Sequence, residues 1–456
     1  MSHEPRITLG RPPDAGWLAR LLRTSSAISA PDARAHAHVI GVSGTGKSRF
    51  MAHLYVQLVE AGNGATLIDP HGDLAELVVK LLQTRANHRV IYLDFPAAER
   101  NGVYVPLNLL AQALPRHTIA GNVTEAFHRA WPQLAGGHAP MFDMLIDAGV
   151  KVLIANHLPL TALWRLLVDA GFRRTLLANE PDPEVRSVFA DVLDAMRPHE
   201  QRIEAGSLLR RLYLLTASPV MKYSLGQSAL AINFRQLMDE RRALVVNLAL
   251  PDAETRRLVG CLLTVGMEQA ALSRADTRDR PEHFLFLDEF ASFAAQSAEA
   301  LSAMLSQTRK YHLFLCLVHQ QWSQASTHLQ GALQNVGLEV VFRLGQTDAA
   351  RMATVLAELT PWTRTTKDDE GLRSVSVADQ ITALTQTIKH LPPRHALIRT
   401  PDGAVQQLVT PNVREPAIAF EPIRQEHLAR WFRPPRAVAT PLAQNRVVPI
   451  KRKVPR

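Results

Sequence analysis

The sequence has very little cysteine and no long apolar run, and both absences restrict the class of protein. Only Cys261 and Cys316 occur among 456 residues. Each lies in an apolar pattern, which predicts reduced core residues rather than a disulfide framework. The most apolar stretch, residues 141–160, carries two aspartates and a lysine, so it predicts a globular helix and not a membrane span. The first thirty residues lack the apolar core of a secretion signal. We therefore expect a cytoplasmic protein without a transmembrane anchor.

Acidic residues are scarce at the carboxyl end of the chain. Residues 424–456 contain seven arginines and two lysines against Glu426, which is +8 of the total formal charge of +9. The rest of the chain is close to neutral, and its 46% hydrophobic and 20% charged residues describe a globular protein of two or three domains. The composition predicts a flexible basic tail over residues 416–456. Such a tail suits nucleic acid or an acidic partner, and it is equally typical of a solubilising segment.

The strongest motif is the segment GVSGTGKS at residues 41–48, which fits the phosphate-binding loop pattern at every fixed position. Glycines allow the backbone to fold around a phosphate chain, and successive N–H groups then point at the anion. Lysine can reach the β- and γ-phosphates, and the following serine hydroxyl can bind Mg²⁺. An apolar strand pattern precedes the loop and a helical pattern follows it, which places phosphate at a helix N-terminus. The predicted nucleotide-binding residues are Gly41, Ser43, Gly44, Thr45, Gly46, Lys47 and Ser48.

A second motif lies at residues 284–289, where the apolar strand FLFL is followed by Asp288 and Glu289. This is the Walker B pattern. Asp288 is predicted to hold Mg²⁺ together with Ser48, and Glu289 to polarise a water molecule for attack on the γ-phosphate. The predicted cofactors are therefore ATP and Mg²⁺.

Three further residues and a pair of histidines have roles that the sequence leaves open. Gln320 ends the next apolar strand, where it would sense the γ-phosphate or simply cap a turn. Arg309 precedes that strand and is a surface charge or an arginine finger that acts on a neighbouring subunit. Asp69 ends a strand close to the phosphate-binding loop and either joins the shell around Mg²⁺ or, with more weight, forms a turn. His36 and His38 share one strand, and a packed or capping role is favoured for them.

The order of apolar patterns predicts an α/β fold with a mostly parallel sheet and an inserted all-helical domain. Strand and helix patterns alternate up to residue 95, only helical patterns follow from 113 to 237, and strand patterns then resume. A hairpin is predicted around Pro401, Asp402 and Gly403, and an exposed polar loop over residues 365–380. The predicted parts are a lead-in (1–30, with a short helix near 17–22), the two halves of a nucleotide-binding domain (31–112 and 238–415), the helical insertion (113–237) and the basic tail (416–456).

In this order the motifs resemble the type IV coupling proteins of bacterial conjugation and secretion, within the HerA/FtsK group of DNA-pumping ATPases. The resemblance covers about residues 36–412. It is carried by nine segments, namely residues 41–48, 67–73, 108–109, 207–212, 243–248, 287–290, 309–311, 319–320 and 341–343.

The resemblance implies a RecA-like fold, a hexameric ring and ATP-driven movement of DNA, single- or double-stranded, through a central channel. It also implies roles for particular residues. Lys47 and Ser48 would bind nucleotide and Mg²⁺, with Asp288 as a second metal ligand. Glu289 would be the catalytic base, Gln320 the sensor, and Arg309 a finger acting in trans, which requires an oligomer.

Typical coupling proteins carry a membrane anchor, and none is expected in this sequence. The sequence therefore leaves the identity of the partners undetermined. A cytoplasmic translocase recruited to the inner membrane by relaxase or secretion-channel components is the first interpretation. A HerA-like helicase that works with a nuclease and a nucleotide-dependent recruitment scaffold are the alternatives. DNA contacts are expected at Arg210 and Arg211 or in the tail, although a solvated helix face is favoured for the arginine pair.

Overall fold

The computed structural model describes residues 6–13, 26–29, 34–112, 114–131, 140–290, 298–325, 327–333, 336–357, 364–368, 371–375 and 377–435. The short helix predicted near residues 17–22 lies outside the described residues. Among the residues that are described, no helix is both long enough and apolar enough to cross a bilayer.

Thirteen strands are present in these residues, and most come from the apolar, β-branched runs that the sequence predicts. They are β1 (Arg6–Gly10), β2 (Ser26–Ser29), β3 (Ala37–Ile40), β4 (Gly64–Asp69), β5 (Val90–Asp94), β6 (Ala243–Asn247), β7 (His283–Leu287), β8 (Leu313–His319), β9 (Leu338–Val341), β10 (Arg364–Asp368), β11 (Gly371–Val375), β12 (His395–Arg399) and β13 (Val405–Val409).

Nine of these strands form one sheet in the order β13-β12-β9-β3-β8-β7-β4-β6-β5. The seven strands from β9 to β5 are mutually parallel, and the hairpin β12–β13 adds two strands in antiparallel orientation. The central strands are buried along their whole length, as expected for parallel strands covered on both faces. This confirms the predicted α/β class. The β12–β13 hairpin also forms where it was predicted, with Gly403 in the left-handed conformation that its turn requires (φ +84°).

The helices cover both faces of the sheet and follow the 3.6-residue apolar pattern. In the helix after the phosphate-binding loop, for example, Met51, Leu54, Tyr55 and Leu58 are all buried. The described helices are α1 (Lys47–Glu60), α2 (Asp73–Gln83), α3 (Phe95–Arg100), α4 (Arg116–Ala130), α5 (Pro140–Ala155), α6 (Leu163–Val168), α7 (Ala170–Leu177), α8 (Pro183–Ser187), α9 (Pro198–Glu204), α10 (Gly206–Ala217), α11 (Pro219–Leu225), α12 (Phe234–Asp239), α13 (Ala253–Leu272), α14 (Ala298–Gln307), α15 (Thr327–Leu333), α16 (Gln346–Ala357), α17 (Val377–His390) and α18 (Phe420–Trp431).

Between β5 and β6 every regular element that the structure describes is helical. These helices pack on α13, which belongs to the part of the chain after β6. Arg129 of α4 and Glu268 of α13 form a buried ion pair at 2.8 Å across this contact, and apolar side chains of both regions belong to one hydrophobic cluster. The division of the chain at residues 113 and 237 therefore stays a prediction.

Two segments differ from what the sequence predicts. The lead-in contains β1, whose Ile7 and Leu9 are buried and whose Thr8 backbone N–H donates to Gln57 of α1 at 2.9 Å. The segment predicted as an exposed loop over 365–380 instead contains the antiparallel hairpin β10–β11 and the start of α17. Threonine favours strands, and the charged residues of this segment conceal that signal.

The predicted flexible tail is also wrong over residues 420–431, which form α18 against β5. Phe420, Ile423 and Leu428 lie on one face of this helix and are buried. Arg424 forms an ion pair with the buried Asp94 at 2.9 Å. The segment is ordered because its basic residues are interspersed with this apolar face. Residues 436–456 of the predicted tail lie outside the described residues.

Both edges of the sheet are covered. At the β13 edge, Arg11 and Val409 exchange two backbone hydrogen bonds of 3.1 and 2.8 Å. At the β5 edge, the backbone N–H of Tyr92 donates to Nδ1 of His427 in α18 at 3.3 Å. The outward-facing N–H of an edge strand thus has a side-chain partner instead of a second chain.

Candidate active site

A cleft of about 490 Å³ opens where the carboxyl ends of the central strands meet the N-terminus of α1. In an open parallel sheet this edge is the usual ligand site. Eight of the predicted site residues line the cleft, and they are Ser43, Gly44, Gly46, Lys47, Ser48, Asp288, Glu289 and Gln320. The structure therefore brings the phosphate-binding loop, the Walker B carboxylates and the end of β8 together at one place.

The phosphate-binding loop leaves β3 and becomes α1 at Lys47. Gly46 precedes the helix with φ +112°, a conformation that L-residues rarely adopt. Gly41 has no room for a side chain, because a Cβ there would lie 2.6 Å from Cβ of Phe342. Thr45 is buried and its hydroxyl donates to the carbonyl of Val42 at 2.8 Å. Gly41 and Thr45 thus shape the loop from behind, while the neighbouring residues face the cleft.

Lys47 lies in the cleft with its ammonium group on loop carbonyls. Its Nζ donates to the carbonyls of Gly41 and Val42, the second at 3.1 Å. Burial lowers the pKa of Lys47, and the carboxylates of Asp288 and Glu289 oppose that shift. These carbonyls hold the lysine at the loop, and a phosphate group is a stronger partner for an ammonium group than a neutral carbonyl is.

The carboxylates of Asp69 and Asp288 lie side by side at the carboxyl ends of the neighbouring strands β4 and β7. Burial raises the pKa of Asp288 to about 7, and Asp69 adds to the rise, while His71 and Lys47 act in the opposite direction. Asp69 accepts from the backbone N–H groups of His71 and Ala75, at 2.8 and 2.9 Å. These bonds show the turn-forming role of Asp69, and its charge acts on Asp288 as well.

Glu289 and Gln320 are in direct contact. Nε2 of Gln320 donates to Oε2 of Glu289 at 3.0 Å. The backbone of Glu289 is in the left-handed region with φ +46°, and its N–H donates to the carboxylate of Asp288 at 3.1 Å. Strain of this kind in a residue that is not glycine is costly and tends to persist at functional sites. The left-handed conformation of Glu289 directs the side chains of Asp288 and Glu289 toward the same cleft.

Arg309 is not in the cleft of its own chain. It lies in the short 3₁₀ turn Thr308–Tyr311, before β8, and is exposed. Burial lowers the pKa of His36, which lies just before β3, to about 4, and the positive charge of Arg309 acts in the same direction. Gln320 follows the same strand, so the seven residues of β8 separate the two side chains by about 20 Å. Arg309 cannot reach a phosphate bound to its own loop.

The structure adds residues to the site to which the sequence assigns no individual role. Arg49, His71, Asp73 and Leu74 also line the cleft. Behind the loop, the backbone N–H of Arg394 donates to the carbonyl of Thr45 at 2.8 Å. No spacing pattern points to Arg394, because it is more than 300 residues from the loop.

Arg211, one of the two arginines expected to contact DNA, instead contacts other residues of the helical region. Arg211 donates to the carbonyl and hydroxyl of Ser207 at 2.9 Å, and its guanidinium lies 5.6 Å from the ring centre of Trp131. Arg210 is exposed. Only Arg210 is therefore directed to solvent at this place.

The donor set of the cleft matches a nucleoside triphosphate and a hard cation. A helix N-terminus and a lysine suit phosphate, and the Ser48 hydroxyl with the Asp288 carboxylate offers the oxygen ligands that Mg²⁺ prefers. Together with the sheet order, these features define the class of RecA-like P-loop proteins.

Comparison with known proteins specifies the fold further. No family model matches, and no curated protein matches. Among solved structures, the unbound bacterial conjugative coupling protein TrwBdeltaN70 aligns with a TM-score of 0.61 at 16% identity, over 91% of this chain and 96% of that chain. TrwB in complex with ADP and Mg²⁺ aligns with a TM-score of 0.56 at 16% identity, over 91% and 96%. VirB4 of Thermoanaerobacter pseudethanolicus aligns with a TM-score of 0.56 at 13% identity, over 89% and 96%. The chain has the fold of the TrwB coupling protein and of VirB4.

Proposed function

We propose that this protein is a Mg²⁺-dependent ATPase that moves DNA in conjugation or type IV secretion. It would work as a ring, and its resemblance to the coupling proteins implies six subunits. The single observation that carries the proposal is the convergence of Lys47, Asp288, Glu289 and Gln320 in one cleft. TrwB, whose fold the chain shares, has been solved with ADP and Mg²⁺ and with a non-hydrolysable ATP analogue.

Lys47 and the N–H groups of residues 43–48 would hold the triphosphate, and Ser48 and Asp288 would hold Mg²⁺. The metal would neutralise charge on the β- and γ-phosphates. Because the pKa of Asp288 is raised to about 7, binding of a cation there favours the ionised carboxylate and releases a proton. The raised pKa of Asp288 is thus what we expect of a carboxylate whose negative charge is neutralised when a cation binds.

Glu289 would act as the general base that takes a proton from the attacking water. In the structure its carboxylate accepts a hydrogen bond from Gln320. We propose that Gln320 leaves this contact for the γ-phosphate when ATP is bound, and returns to it after hydrolysis. The end of β8 would then report which nucleotide occupies the cleft.

Arg309 would complete the site of a neighbouring subunit. The amino ends of the strands carry exposed basic residues, among them Arg241, Arg278, Arg309 and Lys310. The cleft at the opposite ends is lined by Asp69, Asp73, Asp288 and Glu289. Because Arg309 and the cleft lie at opposite ends of the strands, a contact that brings Arg309 to the cleft of a second copy must be head-to-tail.

The remaining parts of the proposal concern location and partners. We propose a cytoplasmic motor that reaches the inner membrane through secretion-channel components and receives its DNA from a relaxase. The HerA-like alternative shares the chemistry and replaces these partners by a nuclease. Co-purification with one or the other set separates the two.

ATP turnover with and without DNA tests the proposal. We expect Mg²⁺-dependent hydrolysis that single- or double-stranded DNA accelerates. Glu289→Gln should keep ATP binding and lower kcat at least about 100-fold, because it removes the base and leaves the loop intact. Glu240→Gln, an exposed glutamate outside the cleft, is the matched control.

Three results would count against the proposal. Turnover by Glu289→Gln at the normal rate would exclude this residue as the base. ATP turnover that stays the same when single- or double-stranded DNA is added would exclude the motor and favour a recruitment scaffold. A wild-type protein that does not hydrolyse ATP would exclude the enzyme altogether.

A further inference from the structure

Three neighbouring strands share a buried polar cluster directly below the phosphate-binding loop. His38 of β3, His319 of β8 and Glu339 of β9 each have at most 1% of their surface exposed. His38 is paired in register with Glu339, and Ile40 with His319. Polar side chains at the centre of a parallel sheet are costly to desolvate, so their presence together calls for a reason.

The three side chains form a hydrogen-bonded chain with a defined direction. Nδ1 of His38 contacts Oε1 of Glu339, and Nε2 of His38 lies 2.7 Å from Nε2 of His319. With Glu339 as a carboxylate, which only accepts, the proton at the first contact would be on Nδ1 of His38. One further proton would then lie between the two Nε2 atoms. Arg399 of β12, 3.9 Å from the other oxygen of Glu339, adds a positive charge at the end of the chain.

His319 connects this chain to both catalytic elements. It immediately precedes Gln320, whose amide contacts Glu289 at 3.0 Å. Its ring centre lies 4.9 Å from that of Phe290, the residue after Glu289. One imidazole therefore adjoins Gln320 in sequence and packs beside the residue that follows Glu289.

We propose that the Glu339–His38–His319 relay fixes the end of β8 and thereby holds Gln320 in reach of Glu289. His319, His38 and Glu339 are then positioning residues of the hydrolytic site, and this role rests on the proposed ATPase function. Without the acceptor on Glu339, the His38 ring can turn over, and His319 loses the partner that sets its own orientation.

Replacement of Glu339 tests the relay by kinetics. Glu339→Leu should lower kcat about tenfold or more, because small displacements of catalytic groups have effects of this size. The Kd for a fluorescent ATP analogue should change less than about twofold, since the loop is not part of the relay. Glu339→Gln restores a neutral acceptor for Nδ1–H and should recover most of the lost kcat.

A matched control separates positioning from general damage to the sheet. His283 of β7 is also fully buried, and its Nε2 lies 2.9 Å from Thr66 Oγ1, but it is the first residue of its strand and lies at the amino ends of the strands, away from the cleft. His283→Leu should lower stability and leave kcat unchanged. A Glu339→Leu variant with normal kcat, or with kcat and ATP binding lost together, would overturn the proposal.

A spectroscopic test does not depend on catalysis or on a folded variant. In the wild-type protein with ¹⁵N-labelled histidine, NMR should show a protonated Nδ1 on His38 and a scalar coupling between the two Nε2 atoms. An unprotonated Nδ1 on His38 or the absence of that coupling overturns the relay. Failure of ATP hydrolysis in the wild type would instead overturn the proposed function, and the two failures are distinguishable.

Discussion

His283 shows how one buried side chain contributes to the response of this fold to acid. Burial lowers its pKa to about 3, with the charge of Arg274 acting in the same direction. In the unfolded chain a histidine titrates near 6.5. Between these two values the unfolded state binds more protons than the folded state, so the stability of the protein rises with pH in this range. Conversely, stability is lost as the pH falls below about 6.5.

Replacing His283 by glutamine should weaken this pH dependence. Glutamine keeps a partner for the Thr66 hydroxyl and cannot take up a proton. Between pH 6.5 and 4 the free energy of unfolding should fall less steeply, by up to about 1.4 kcal/mol per pH unit. Urea denaturation at several pH values measures the slope. His88→Gln, at an exposed position, should leave the slope unchanged, and equal slopes for His283→Gln and the wild type would refute the explanation.

At the scale of single elements, the segment before β12 supports the phosphate-binding loop from behind. Arg394 has φ +66°, in the left-handed region. Its N–H donates to the carbonyl of Thr45, and its own carbonyl accepts from the N–H and the hydroxyl of Thr410 at 2.8 and 3.0 Å. A strained residue therefore links the loop to the end of the β12–β13 hairpin through its own backbone N–H and carbonyl.

Substitutions at Arg394 should separate backbone strain from side-chain function. Arg394→Gly should be more stable than Arg394→Ala by about 1 kcal/mol, because glycine adopts this conformation without the Cβ penalty. Both variants keep the N–H bond to Thr45 and should bind ATP normally. Chemical denaturation and nucleotide titration measure the two effects. Weaker ATP binding by both variants would instead indicate that the guanidinium contributes to the site.

The contrast between these elements shows what the sequence could predict. The phosphate-binding loop and the Walker B strand were predictable because each encodes its chemistry in a short continuous pattern. Lys47, Ser48, Asp288 and Glu289 accordingly reach the same cleft. Arg394 and the His38–His319–Glu339 relay were not predictable as parts of the site, because each depends on register between strands that are hundreds of residues apart.

Some misses had a readable signal. Ile7 and Leu9 alternate with Arg6 and Thr8, which is a strand pattern inside the segment that is predicted only as a lead-in. In α18 the apolar positions recur at helical spacing, but the net positive charge around them is typical of a flexible tail. Local charge thus obscured periodicity, which is the stronger indicator of secondary structure.

At the scale of the whole molecule, the role of Arg309 can be tested by mixing subunits. Arg309→Ala subunits keep an intact loop, and Lys47→Ala subunits keep an intact finger. If the finger acts in trans, random mixing in equal amounts should restore roughly a quarter of the sites. Turnover of the mixture measures this. Mixing with the double variant Lys47→Ala/Arg309→Ala is the control, and absence of rescue in intact rings would exclude a trans role.

The covering of the β5 edge can be tested by deletion. A chain that ends after residue 415 loses α18 and leaves the N–H of Tyr92 without His427. Loss of Phe420, Ile423 and Leu428 removes apolar contacts worth roughly 1.5–3 kcal/mol each, and the bared strand should promote association. Light scattering and urea denaturation measure both effects. A chain that ends after residue 435 keeps α18 and is the matched control for the covered edge, and a monomeric, fully stable 1–415 chain would contradict this role for α18.

Arg11 pairs with the β13 edge of the large sheet and α18 packs against its β5 edge, so neither edge is an open template for strand addition. In the proposed assembly, copies instead meet across the strand ends, where Arg309 of one copy would reach the nucleotide of the next. The number of complete sites then depends on the closure of the assembly. A closed ring of n copies has n complete sites, an open row has one fewer, and a symmetric pair joined cleft to cleft has none. Loss of a single subunit from a ring would therefore remove two working sites, the one in the missing cleft and the one its arginine had served.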